Sequence, residues 1–68
     1  MIFNYTKGHD PKYMVSVHRW DVDDFYYFHY LKEAKELFKK LRDSKQPKNT
    51  VINLWDVVHD IRKDYVRL

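Results

Sequence analysis

The sequence predicts a small α+β domain, an antiparallel sheet with one helix packed on one face in the order ββαββ, with ββαα as the alternative. Three observations carry this expectation. Residues 13–30 alternate in polarity around a short acidic segment, residues 31–44 repeat their apolar positions at helical spacing, and residues 50–68 return to a β-branched, aromatic composition after a proline-containing loop.

Residues 1–12 contain Gly8 and the pair Asp10-Pro11, and read as an extended lead-in followed by a turn. Tyr13 to Trp20, "YMVSVHRW", alternates as a half-buried strand does. Asp21 to Asp24 makes a four-residue turn, and Phe25 to Tyr30, "FYYFHY", returns. With Trp20 opposite Phe25, the side chains of Tyr13, Val15, Val17, Tyr26, Phe28 and Tyr30 form the core face. Met14, Ser16, His18, Trp20, Phe25, Tyr27 and His29 form the outer face. A slip of the turn by one residue exchanges which sets meet.

Leu31 to Ser44 places Leu31, Ala34, Leu37, Phe38 and Leu41 on one helical face and charged residues elsewhere, with Glu36 and Lys40 as a favourable i,i+4 pair. The segment "DSKQPKN" ends it, because Pro47 cannot continue a helix. Residues 50–68 fit two patterns. As a helix they gather Leu54, Val57, Val58, Ile61, Tyr65 and Leu68 on one side. As a hairpin they run from Val51 to Trp55 and from Ile61 to Leu68. Two features favour the hairpin: an isolated two-stranded hairpin is marginal and needs further strands or a well-covered face, and Trp55-Asp56-Val57 echoes Trp20-Asp21-Val22 at the matching point of the second half.

A chain of 68 residues makes one domain, 1–68. It has no cysteine, hence no disulfide frame and no cysteine-based zinc site, and a cytoplasmic location is expected. No apolar run reaches the roughly 18 residues that span a bilayer, and no basic-then-apolar leader opens the chain, so no membrane contact is expected. The net charge of +3 is uneven: residues 31–68 hold ten Lys and Arg against six acids, which places the positive charge in the second half.

No motif for nucleophilic catalysis, phosphate binding or a metalloprotease occurs, so an enzyme is not expected, nor is a cofactor or a small-molecule substrate. Among His9, His18, His29 and His59, only His18 and His29 share a face, with no third ligand at metal-site spacing. Asp21, Asp23 and Asp24 lack the glycine and terminal glutamate of a calcium loop and suit a tight turn. The candidate protein-binding residues are His18, Trp20, Phe25, Tyr27 and His29, on the sheet face that a single helix leaves uncovered. They define a small non-enzymatic protein-interaction module, a homodimer joined through that face or a binder and inhibitor of a larger protein. The competing arrangement folds the N-terminal segment, with Ile2, Phe3 and Tyr5, across the same face. The alternative function is nucleic-acid binding through Lys35, Lys39, Arg42, Lys45 and Lys48, on the helix and the loop after it.

Overall fold

A computed structural model describes residues 11–68. Residues 1–10 of the lead-in, with His9 and the covering segment of Ile2, Phe3 and Tyr5, lie outside the described residues. The elements are β1 (Tyr13–His18), β2 (Asp23–Phe28), α1 (Leu31–Asp43), β3 (Val51–Asp56) and β4 (Ile61–Arg67). The four strands form one antiparallel sheet in the order β2-β1-β3-β4. This is the α+β, ββαββ arrangement, with the helix over β1 and β3 and reaching β2.

The first hairpin forms, in a register two residues earlier on each strand. His18 faces Asp23, Val15 faces Tyr26 and Tyr13 faces Phe28, so the four-residue turn is 19–22 rather than 21–24. Side-chain chemistry explains the choice. The Arg19 N–H donates to the Val22 carbonyl at 2.9 Å and closes the turn. Asp23 and Asp24 then open β2 beside cationic or imidazole partners, Arg19 Nη1 donating to Asp24 Oδ2 at 2.7 Å and His18 Nδ1 lying 2.9 Å from Asp23 Oδ1. Because the pairing moves by an even number of residues, each strand keeps its inner and outer sets.

The new register changes the place of three aromatic residues. Tyr30 is not part of the core face: it lies beyond β2 as the N-cap of α1, 69% exposed, and its carbonyl accepts the first helical hydrogen bond from the Ala34 N–H at 3.2 Å. Tyr26 is on the core face yet remains substantially exposed, because β2 is an edge strand. Trp20 leaves the strand for the turn, whereas Trp55 stays inside β3. The repeated Trp-Asp-Val is thus no structural repeat.

The helix ends one residue earlier than the spacing predicts. The Ser44 N–H and its hydroxyl both donate to the Leu41 carbonyl, at 3.3 and 2.9 Å, and so satisfy an otherwise orphaned acceptor of the last turn. Glu33 in the first turn and Lys40 and Arg42 in the last complement the helix dipole. Ala34 and Phe38 are buried against Val15, Val17, Ile52 and Leu54, with Leu31, Leu37, Leu41, Phe28 and Val66 packed around them. Each large apolar side chain in that set contributes about 1.5–3 kcal/mol of burial.

Residues 50–68 are a hairpin, and their apolar residues do not behave as a helical stripe. Leu54 is buried, but Val57, Val58, Ile61 and Tyr65 are all exposed. Strand alternation selects instead Ile52, Leu54 and Val66 for the core. Asn49 and Asp60 carry positive φ, 69° and 55°, the left-handed region that Asn and Asp tolerate better than other non-glycine residues. In the 57–60 turn the Asp56 carboxylate accepts from the His59 backbone N–H at 3.0 Å and lies 2.9 Å from His59 Nδ1. These bonds, the backbone one first, hold the Asp56 carboxyl below its ordinary pKa.

Phe38→Ala should lose about 3–5 kcal/mol, comparable to the whole stability of so small a domain, while Tyr30→Ala should change stability by about 0.5 kcal/mol or less. Urea denaturation followed by circular dichroism reads both, and a large loss at Tyr30 contradicts its place outside the core. A depressed carboxyl pKa contributes stability that is complete above the unfolded value of about 3.9 and is lost as pH falls through the folded value. The His59 amide resonance should accordingly titrate with a midpoint below the ordinary Asp range, and Asp56→Asn should abolish that titration.

Candidate interaction surface

Strand alternation puts two different populations on the two faces of the sheet. The helix covers the side of Val15, Val17, Ile52 and Leu54. On the other side the register aligns Phe25 with Ser16 and Asn53, Tyr27 with Met14 and Trp55, and His18 with Asp23 and Val51. Among the described residues no helix or strand packs on this open face.

Its centre is a hydrogen-bonded line across three strands. His18 Nδ1 is 2.9 Å from Asp23 Oδ1, His18 Nε2 is 3.1 Å from Ser16 Oγ, and Asn53 Nδ2 donates to Ser16 Oγ at 3.2 Å. A carboxylate only accepts, so His18 donates from Nδ1. In the neutral imidazole Nε2 then accepts the Ser16 hydroxyl proton, and Ser16 accepts from Asn53. Asp, His and Ser in this order have the spacing of a hydrolase triad. Their setting differs. Ser16 is 1% exposed, its oxygen is held from both sides, and β1 is paired on both edges, which commits its backbone N–H groups to the ladders. One atom of the line is left over: Asn53 Oδ1 is buried with no hydrogen-bond partner.

Around this line the face is aromatic. The His18 and Phe25 rings meet edge to face at 5.8 Å, and burial pushes the Tyr27 hydroxyl pKa up. On the far side a β-bulge changes which β4 residues join. Leu54 pairs with Asp64 but Trp55 with Arg62, leaving Lys63 as the extra residue. In a regular strand, residues three apart point to opposite faces. The bulge instead brings Arg62 to the face of Tyr65, and the guanidinium lies 4.6 Å from the centre of that ring.

Of the five residues expected to form one protein-binding face, the sheet brings together His18, Phe25 and Tyr27. Trp20 stands at the apex of the adjoining turn, 91% exposed, and His29 follows the end of β2. Trp20, Val22 and Phe25 line a shallow groove of about 630 Å³ with Arg19, Asp21 and Asp23. The turn that carries Trp20 is braced, since Arg19 donates to Asp24 and also to Gln46 Oε1 at 3.2 Å, in the loop after α1. Two carboxylates of the acidic turn are thereby engaged by His18 and Arg19. His18 is spent on Asp23 and Ser16, and among the described residues no three His, Cys, Asp or Glu side chains are grouped as metal ligands.

The basic set lies elsewhere. Lys35, Lys39 and Arg42 follow i, i+4, i+7 along α1, on the helix side of the sheet, and Lys45 and Lys48 come in the loop after it. Glu36 and Asp43 flank this stripe, and Arg42 Nε donates to Asp43 Oδ1 at 3.2 Å. Sequence reasoning did not assign Asn53, Trp55, Arg62, Tyr65 and Arg67 to the open face. The strand reading of 50–68 held the signal for Trp55 and Tyr65, but the bulge that turns Arg62 leaves no mark in the residue pattern. No helix of the described residues is long and apolar enough to cross a membrane. Comparison with known proteins finds no matching family model, no matching curated protein and no matching solved structure.

Removing one member of the polar line leaves buried groups unpaired, so Ser16→Ala should cost about 1–3 kcal/mol. Asn53→Val removes the orphaned carbonyl along with the donor and suits a strand, and it should cost less than Ser16→Ala. Chemical denaturation of the two variants decides the order, and a larger loss for Asn53→Val contradicts the bonding pattern.

Proposed function

We propose that this chain is a cytoplasmic, non-enzymatic protein-interaction module that engages a larger protein through the β1–β2 half of its open face, with Trp20 as the anchor. The observation that carries the reading is Trp20 itself, 91% exposed at the apex of a turn held by Arg19, Asp24 and Gln46. A large apolar ring kept out of the core on a braced turn loses little conformational freedom on docking, which is the condition for a binding hot spot. Val22 and Phe25 extend the apolar contact from the turn onto the sheet, and Asp21 and Asp23 supply a polar rim.

The partner surface this implies is a pocket wide enough for an indole ring with basic groups at its edge, since Asp21 in the turn and Asp23 and Asp24 at the start of β2 set three carboxylates beside the one guanidinium of Arg19. A second copy of the chain docking through the same half-face is the self-associating form of the same reading.

Truncating a hot spot costs about 2 kcal/mol or more, about thirtyfold in affinity. Immobilised wild-type protein should retain a specific protein from an extract of its source cells, and immobilised Trp20→Ala should lose it while Arg67→Ala keeps it. Sedimentation of the wild type and of Trp20→Ala at micromolar concentration reads the self-associating form. Equal retention by wild type and Trp20→Ala, together with monomeric wild-type protein, overturns the proposal.

A further inference from the structure

The β3–β4 half of the open face differs in chemistry from the half that carries Phe25 and Tyr27. Trp55 and Arg62 are cross-strand partners, as are Asn53 and Tyr65, and Val51 and Arg67, all directed away from the helix. The acids of these strands, Asp56 and Asp64, alternate to the other side of the sheet. Two guanidiniums and two aromatic rings thus share a patch whose register contributes no carboxylate. β4 is an edge strand, and Arg62, Tyr65 and Arg67 are exposed.

We infer that this half-face binds single-stranded nucleic acid, with bases stacked on Trp55 and on the Arg62–Tyr65 pair and phosphates held by Arg62 and Arg67. Several observations converge on this ligand. The Arg62 Cζ already lies over the Tyr65 ring, 4.6 Å from its centre, on the face to which the bulge at Lys63 turns it, and guanidinium and aromatic planes are the surfaces on which unpaired bases stack. Arg67, two residues beyond Tyr65 on the same side, stands about 7 Å along the strand, where it reaches the backbone of a base stacked on Tyr65. A duplex hides its base faces, so the stacking part of this site selects single strands.

The patch is distinct from the lysine stripe of α1, which lies across the sheet and is flanked by Glu36 and Asp43. It is also distinct from the Trp20 turn, so failure of the protein-binding reading leaves this one standing, and the reverse.

The test is fluorescence anisotropy of labelled dT12, dA12 and rU12, with a duplex of the same length, titrated with the full chain from low to physiological salt. Two phosphate contacts predict a slope of log K against log salt of about −1.4 for single strands. Arg67→Ala should reduce that slope by about 0.7, and Arg62→Ala should weaken binding further through the lost stack. Lys35→Ala/Lys39→Ala should leave the slope unchanged. In a Trp20→Phe background, quenching of the remaining Trp55 emission by dT12 reports stacking directly. Absence of binding to every single strand at low salt overturns the inference. So does preference for duplex, or a slope that responds to the helix lysines and not to Arg67. Arg62 and Arg67 are exposed, so both variants should keep the wild-type circular dichroism.

Discussion

The antiparallel pairing of β1 with β3 is the contact on which the remainder of this structure depends. It joins two hairpins separated by the helix, Val15 meeting Leu54 and Val17 meeting Ile52. Each hairpin alone is a two-stranded element of marginal stability. Joined, they place four β-branched or apolar side chains in one patch, wide enough to receive Ala34 and Phe38 from α1. The closure spans the whole of α1 and its following loop, and its entropic cost grows only with the logarithm of that length. Burial beneath the helix offsets it. Lys12 extends the junction by one step, its N–H donating to the Phe28 carbonyl and its carbonyl accepting from the Val57 N–H.

That same pairing decides what the other face contains. Residues that alternate with Val15, Val17, Ile52 and Leu54 are Ser16 and Asn53 at the centre of the sheet, flanked by His18 and Trp55. Two short polar side chains buried under longer neighbours must bond to something, and they bond to each other and to His18. The line fixes the imidazole orientation and ties the acidic start of β2 to the central strands through Asp23. The arrangement is complete except at Asn53 Oδ1, which is buried without a hydrogen-bond partner.

The helix sits over β1, β3 and part of β2, so β4 receives little cover and presents most of its side chains to water. Its charged composition suits an edge strand, where Arg and Lys discourage pairing with another chain. The bulge then gives this edge a second property. By shifting alternation at Lys63, it moves Arg62 to the face of Tyr65 and Arg67, away from Asp64, which ordinary alternation already sets on the other side from Arg67. The open face thus acquires a cationic, aromatic half beside one that is aromatic and locally acidic, and the two binding proposals rest on that division.

The local pattern of residues was sufficient for the elements themselves. Alternation in 13–28, helical spacing in 31–43 and the β-branched content of 51–56 are properties of neighbouring residues, and each appears in the fold where those residues stand. The inner and outer sets of the first hairpin were legible for the same reason, since a register change by an even number of residues leaves alternation intact. Tertiary pairing decided the remainder. Whether Val57, Val58 and Ile61 were buried depended on whether β1 accepted a second neighbour, and it did, which left all three exposed. Trp20 lost its place on the sheet because Asp23 and Asp24 found His18 and Arg19 across the turn. Arg62 joined Tyr65 only because β4 bulges against β3. Each of these outcomes turns on a pairing between strands, and neither the periodicity nor the propensity of a single segment contains that information.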